Sequence, residues 1–141
     1  MSASDKIQLA FKLFDEANQK DPNTEIFQGK TYPKELLYAE RMTERLSSFK
    51  PDASEALQLT ARCQHICRWE IARDTYEMNR EGYLRWRQDL KKFHARKAAS
   101  ILEEVGYSDL IISQVKFLLE KKQLKKNEET QTLEDVICLV F

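Results

Sequence analysis

The sequence predicts an all-α protein, a compact bundle of about six helices that forms a single domain over residues 1–141. Composition favours helix, because Ala, Leu, Glu, Lys, Gln and Arg dominate while only three Gly and three Pro occur. Apolar residues recur every three or four positions along most of the chain, which is the period of one helix face. A chain of 141 residues is also long enough to bury one hydrophobic core.

The first two predicted helices are separated by a loop. Ser4 can cap the first helix, whose apolar stripe is Ile7, Ala10, Phe11, Phe14 and Ala17. Turn-forming residues between Asp21 and Lys30 predict a loop of about ten residues. Pro33 suits the first turn of the second helix, in which Glu35 lies on the apolar side. The rest of that side is Ala39, Met42, Leu46 and Phe49.

The third predicted helix begins at Asp52 or Ser54 and is apolar around much of its circumference from 56 to 71. Such a helix is expected to lie centrally in the bundle. Gln64 and Arg68 lie four residues apart near its most apolar line. Because an unpaired buried charge is costly, Arg68 is expected to meet a carboxylate or to bind an anion.

The fourth predicted helix is the longest. It follows a polar loop over 72–79, starts at Asn79 or Arg80, and runs to Val105, with Gly106 as its stop. Its apolar stripe is Tyr83, Trp86, Leu90, Phe93, Ala98, Ile101 and Val105. A histidine and an arginine, His94 and Arg87, lie close to the centre of this stripe.

Two shorter helices complete the predicted bundle. Ser108 caps the fifth, whose apolar stripe is Leu110 or Ile111, Val115, Leu118 and Leu119. Residues 120–126 form a basic tail to this helix, and 127–130 form a loop. Thr132 begins the sixth helix, and Asp135 occupies the capping-box position three residues later.

Charge and cysteine content restrict the classes of function. The net charge is zero, so a general attraction to nucleic acid is not indicated. Residues 62–97 nevertheless carry ten basic and five acidic residues, a net +5, which leaves −5 for the rest of the chain. This asymmetry indicates a local anion site, although a solvated helix surface would give the same pattern. No apolar run is long enough to span a bilayer, and three cysteines favour a reducing cytoplasm over a disulfide framework.

Polar side chains that helical spacing turns inward define the candidate site. Two imidazoles with one or two carboxylates from different helices are enough for a divalent-metal site in a bundle. On the sixth helix the inward carboxylate is Glu134 or Asp135. The predicted ligands or acid–base groups are His65, His94 and Asp135, with Glu35 as an additional carboxylate. Such a metal ion would lower the pKa of bound water and polarise a phosphoryl oxygen. The predicted phosphate-binding residues are Arg68, Arg73, Arg87 and Lys91.

Three longer segments of the sequence resemble those of a known family. They are YPKELLYAERM, ASEALQLTARCQHICRWEIARDTYEMNREGYLRWRQDLKKFHA and EETQTLEDVICLVF. Together they resemble a bacterial and fungal family catalogued as domain of unknown function 4202. Proteins of this family usually extend a few dozen residues further, and this chain stops on the apolar run 137–141. We therefore expect the sixth helix to continue in a longer protein.

The order of elements also resembles the His-Asp (HD) metal-dependent phosphohydrolase superfamily, whose helical folds draw metal ligands from several helices. This resemblance places Glu35 near the expected first ligand and Asp135 near the last. The signature pair itself is missing, because Gln64 stands where its histidine would be and His65 where its aspartate would be. Either the ligand set shifts to His65, His94 and Asp135, or the metal is lost.

The leading functional hypothesis is a phosphohydrolase that uses one divalent metal ion and acts on a small phosphorylated molecule or nucleotide. The alternative is a non-catalytic module that binds anions or RNA through aromatic residues interleaved with arginines. Those aromatic residues are Trp69, Tyr76, Tyr83 and Trp86. A third interpretation is structural: Arg68 pairs with Glu70 or Glu35, and the histidines are hydrogen-bonded in the core.

Overall fold

The computed structural model describes residues 3–121 and 128–140 and confirms the all-α prediction. The helices are α1 (Ala3–Asn18), α2 (Lys34–Phe49), α3 (Glu55–Cys63), α4 (Arg80–Val105), α5 (Asp109–Leu119) and α6 (Glu128–Val140). Two short 3-10 helices lie at Arg68–Glu70 and Arg73–Thr75. No helix within the described residues is long and apolar enough to cross a membrane.

The loop predicted between Asp21 and Lys30 is in part a β-hairpin, so that prediction is wrong. Strands β1 (Thr24–Phe27) and β2 (Lys30–Pro33) pair antiparallel. Gln28 and Gly29 form the turn with positive φ angles of 51° and 79°, which match the twist of a tight hairpin. Both strands are largely exposed, so their residues do not alternate between apolar and polar, and the sequence pattern carried no strand signal.

The start of α2 is held by a buried carboxylate outside the helix. Asp21 accepts hydrogen bonds from the backbone N–H groups of Glu35 at 2.9 Å and Asn23 at 2.8 Å. Pro33 takes the position before the first helical residue and has no side-chain oxygen to offer, so Asp21 supplies the cap. The predicted apolar side is buried except at Phe49, which is 48% exposed at the end of the helix.

The third helix is central, as predicted, but it ends at Cys63 rather than at Ile71. Ser54 caps its start by accepting a hydrogen bond from the Leu57 N–H. Beyond Cys63 the chain turns, and Cys67 adopts a left-handed conformation with φ 55°. Asn18, 1% exposed at the end of α1, accepts the Cys67 N–H at 3.0 Å and fixes this turn.

The bounds of α4 agree with the prediction. The Asn79 side chain accepts the Gly82 N–H at 2.8 Å, and Gly106, with φ 99°, ends the helix. Gly82 is required by packing, because a Cβ there would lie 1.9 Å from the carbonyl oxygen of Glu77. Of the predicted stripe, Tyr83 is 41% exposed and does not belong to the core.

The last two helices differ in detail from the prediction. Ser108 caps α5 as expected, but Leu110 is 67% exposed and the buried side is Ile112, Val115, Leu118 and Leu119. Helix α6 already includes Glu128, so Thr132 is internal to it and the loop predicted over 127–130 is wrong for residues 128–130. Residues 122–126 of the predicted basic tail lie outside the described residues.

The core is divided into two clusters that meet on α3. The first joins α1, α3, α4 and α5 and includes Phe14, Leu59, Leu102 and Val115. The second joins α2, α3, α5 and α6 and includes Met42, Leu57, Leu118, Leu133 and Val136. The turn after α3 lies beside both clusters, and it carries the polar residues that form the candidate site.

Candidate functional site

His65 lies in the turn that follows α3 and is held by one face of α2. Its Nδ1 atom lies 3.3 Å from Oε1 of Glu35, whose side chain is only 8% exposed. The Tyr38 ring, one turn further along α2, stacks on the imidazole with centroids 4.1 Å apart and planes 8° apart. The Tyr38 hydroxyl donates to Oε1 of Gln64 at 2.8 Å. The imidazole is therefore fixed both in its plane and at its Nδ1 atom.

His94 faces His65 from α4 and is 5% exposed. Its Nδ1 atom lies 2.9 Å from the carbonyl oxygen of Ile66. A carbonyl oxygen only accepts, so Nδ1 carries the proton and Nε2 carries the lone pair. The two imidazole centroids are 6.1 Å apart. In the described part of the chain, neither Nε2 atom has a hydrogen-bond partner.

Both histidines are neutral at pH 7. Burial, together with a smaller effect of the nearby His65, lowers the pKa of His94 to about 3. Burial also lowers the pKa of His65, against a smaller opposing effect of the Glu35 carboxylate. Each ring therefore presents an unprotonated Nε2 that can accept a hydrogen bond or attack an electrophile.

These rings open into a cavity of about 280 Å³, here called the histidine cavity. Five predicted site residues line it: His65, His94, Arg68, Arg87 and Lys91. The other lining residues are Gln64, Leu90, Leu119, Lys121, Glu134 and Ile137. Glu35 lies behind His65 rather than in the wall. Lys121 is the main residue that the sequence interpretation missed, because it follows the end of α5, where periodicity gives no guide.

Three cations of the cavity have no salt bridge within the described residues. Arg68 lies over the Trp86 ring at 5.1 Å, and Arg87 donates to the Tyr83 hydroxyl at 2.9 Å. Within the described residues, Lys91 makes neither a cation–π contact nor a side-chain hydrogen bond. Its pKa is lowered mainly by burial and to a smaller extent by the nearby cations Lys121 and Arg87. These three side chains therefore place positive charge in the wall of one cavity, and no carboxylate of the described residues forms a salt bridge with them.

The third interpretation predicted that Arg68 pairs with Glu70 or Glu35, and this prediction is wrong. Glu70 pairs with Lys97 at 3.9 Å, and Glu35 contacts His65 instead. The one carboxylate in the cavity wall belongs to Glu134, whose Oε1 lies 2.9 Å from the Lys121 ammonium. Oε1 of Glu134 accepts no hydrogen bond of good geometry within the described residues, so its contact with Lys121 is a simple ion pair. Four cations and one carboxylate give the wall of the cavity a net charge of +3.

Besides Glu35, two predicted site residues do not line the cavity. Arg73 donates to backbone carbonyl oxygens of Glu77 at 2.9 Å and Asn79 at 3.3 Å, so it braces the loop before α4. Asp135 accepts a hydrogen bond from Gln131 Nε2 at 2.9 Å, one turn earlier on α6. Because Thr132 is internal to α6, the predicted capping box is also wrong.

The donor set does not fit the predicted metal ion. Among residues 3–121 and 128–140, no group of three or more His, Cys, Asp or Glu side chains is arranged to hold one. His65 and His94 share the cavity, but Asp135 is not with them. A wall with a net charge of +3 also repels a divalent cation. The chemistry of this cavity fits an anion.

A larger hollow of about 630 Å³ lies between α1 and α2, but it is an open groove with mostly exposed side chains. Its arginine, Arg62, is fully engaged by Asp15 through two hydrogen bonds of 2.9 and 2.7 Å. The groove therefore offers no unpaired arginine, and the histidine cavity remains the candidate site.

Fold and site together define a helical-bundle protein with a cationic cavity built around two neutral histidines. The sequence matches the family described as Domain of unknown function (DUF4202) over residues 8–141. The chain belongs to this family, which confirms the resemblance carried by its three longest runs. No curated protein and no solved structure matches the chain.

Proposed function

We propose that this protein binds a small phosphorylated molecule, such as a nucleotide, with the phosphoryl group in the histidine cavity. The observation that carries the proposal is the convergence on one cavity of Arg68, Arg87 and Lys91, none of which has a salt bridge within residues 3–121 and 128–140. Cations that are partly withdrawn from water and lack a partner destabilise the empty protein. An anion in the cavity relieves that cost and gains charge-assisted hydrogen bonds.

The shape and chemistry of the wall support a small ligand. A volume of about 280 Å³ accommodates a phosphoryl group with a small organic body. The two guanidinium groups suit bidentate contact with phosphate oxygens, and lysine adds a point charge. The free Nε2 atoms of His65 and His94 can accept hydrogen bonds from ligand hydroxyl groups. Free cysteines, together with a ligand of this class, lead us to place the protein in the cytoplasm.

The RNA-binding alternative has less support. Trp86 is 9% exposed, so its ring is not open to a base, and Tyr83, 41% exposed, is the most open of the aromatic residues in question. Basic residues at both ends of the +5 segment are also neutralised, since Arg62 pairs with Asp15 and Lys97 with Glu70. Metal-dependent hydrolysis likewise lacks an assembled ligand set among the described residues, so any chemistry would depend on the cavity's own groups.

The test is calorimetric titration of the protein with inorganic phosphate, ADP and a single-stranded ribo-oligonucleotide, each at low and high salt. We expect phosphate and ADP to bind one per chain, and the oligonucleotide to bind more weakly than ADP. Small-ligand affinity should fall modestly with salt, because few ions are displaced.

Two outcomes would overturn the proposal. Oligonucleotide binding that is tighter than ADP binding and falls steeply with salt would make the protein an RNA-binding module. A protein that stays folded but binds neither phosphate nor ADP would show that the cavity is not an anion site.

A further inference from the structure

We propose that Nε2 of His65 accepts the phosphoryl group, so that the histidine cavity transfers phosphoryl groups to water through a phosphohistidine intermediate. The inference rests on the proposed function, because it requires a phosphorylated ligand in that cavity. It gives two residues of the binding site a catalytic role, His65 as phosphoryl acceptor and Lys91 as proton donor and acceptor, and it makes Glu35 a positioning residue.

Geometry distinguishes His65 from the other nucleophilic groups of the cavity. The Glu35 carboxylate, 3.3 Å from Nδ1, holds the proton on that atom and leaves the lone pair on Nε2. The stacked Tyr38 ring holds the plane of the imidazole. Glu35 lies in the first turn of α2, where the helix dipole favours its negative charge.

His94 lacks this support. Its Nδ1 donates to the carbonyl oxygen of Ile66, which offers a dipole rather than a full negative charge. When Nε2 of an imidazole bonds to phosphorus, the ring becomes cationic, and a carboxylate on Nδ1 stabilises that charge. His65 is therefore the acceptor, and His94 remains a neutral hydrogen-bond acceptor in the wall.

The chemistry balances with water as the only co-substrate. In the first step the lone pair of His65 Nε2 forms a bond to phosphorus, and the bond from phosphorus to the leaving oxygen breaks. The leaving oxygen takes a proton from the Lys91 ammonium and departs as an alcohol. In the second step water attacks phosphorus, the N–P bond breaks, and the proton released by water returns to Lys91. Arg68 and Arg87 hold the phosphoryl oxygens in both steps.

The test uses the full chain and acetyl phosphate as the phosphoryl donor, and intact-protein and peptide mass spectrometry follow the adduct. We expect one acid-labile phosphoryl group on His65. His65→Asn should lose the adduct, because Asn can still donate to Glu35 but has no Nε2. Gln88→Asn, at an exposed position of α4 outside the cavity, is the control variant and should retain the adduct on His65.

Glu35→Gln tests the positioning role. Adduct formation should slow at least tenfold while inorganic phosphate still binds within about twofold of wild type. Because Glu35 raises the pKa of His65 relative to burial alone, the acid limb of the rate profile should also shift to lower pH in this variant.

The outcomes separate this inference from the proposed function. If phosphate binds in the titration but no adduct forms, or if the adduct is on His94, the acceptor role is wrong and the binding site stands. Hydrolysis of p-nitrophenyl phosphate that requires His65 but forms no adduct would make His65 a general base instead. If phosphate does not bind, the proposed function itself fails.

Discussion

Replacing Arg68 by glutamate is expected to weaken phosphate and ADP binding about a thousandfold, which corresponds to roughly 4 kcal/mol. The change removes charge-assisted hydrogen bonds worth about 1.5–3 kcal/mol and adds a like charge beside the phosphoryl group. Arg68 is the cavity cation that approaches the core through its contact with Trp86, 5.1 Å away, and it has no carboxylate partner among the described residues.

The same Arg68→Glu variant should leave the free energy of unfolding within about 1 kcal/mol of wild type, or raise it. The introduced carboxylate would relieve repulsion among the cations and could pair with Arg87 or Lys91, which offsets the lost cation–π contact of about 0.5–2 kcal/mol. Arg85→Glu is the matched control, since it makes the same charge change at an exposed position of α4 outside the cavity. Calorimetric titration and urea unfolding measure the two quantities. A loss of stability of several kcal/mol with affinity unchanged would show that Arg68 is a structural residue.

Acidification is expected to destabilise the protein through His94. Burial lowers the pKa of this residue to about 3, whereas in the unfolded chain it is near the ordinary value of 6.5. Between these values the unfolded state binds a proton that the folded state does not, so stability falls as pH falls. The part of the free energy of unfolding that depends on neutral His94 is fully present above about pH 6.5. Below that pH it declines by up to about 1.4 kcal/mol per pH unit. His65, whose pKa is also lowered, acts in the same direction.

His94→Asn isolates this effect, because Asn does not titrate and its amide can still donate to the Ile66 carbonyl. Urea unfolding of both proteins between pH 7 and pH 4.5 should show wild type losing about 2 kcal/mol more than the variant. Effects of carboxylates are common to both proteins and cancel in the difference. Parallel stability profiles would show that His94 keeps an ordinary pKa in the folded protein.

The cavity residues on α4 were placed correctly by sequence alone. Arg87, Lys91 and His94 follow one another at helical spacing on α4, and Asn79 and Gly106 mark the ends of that helix clearly. Once the register of α4 is known, these three side chains must share a face, and the structure places all three in the cavity wall.

Residues at helix ends and in turns were harder to place. The turn that presents His65 depends on the left-handed Cys67 and on its bond to Asn18, 49 residues away, and local periodicity contains no such information. Asp135 was misplaced by one position in helix register, because α6 turns Glu134 rather than Asp135 toward the cavity. Arg73 was misplaced because its partners are loop carbonyl oxygens, which leave no pattern in a sequence.

A crystal structure of the protein grown with inorganic phosphate tests the main conclusion most directly. We expect one phosphate ion in the histidine cavity, within hydrogen-bond distance of Arg68, Arg87 and Lys91, with Nε2 of His65 facing the phosphorus atom. A cavity that holds only water at a saturating phosphate concentration, or phosphate bound solely at other surfaces, would contradict it.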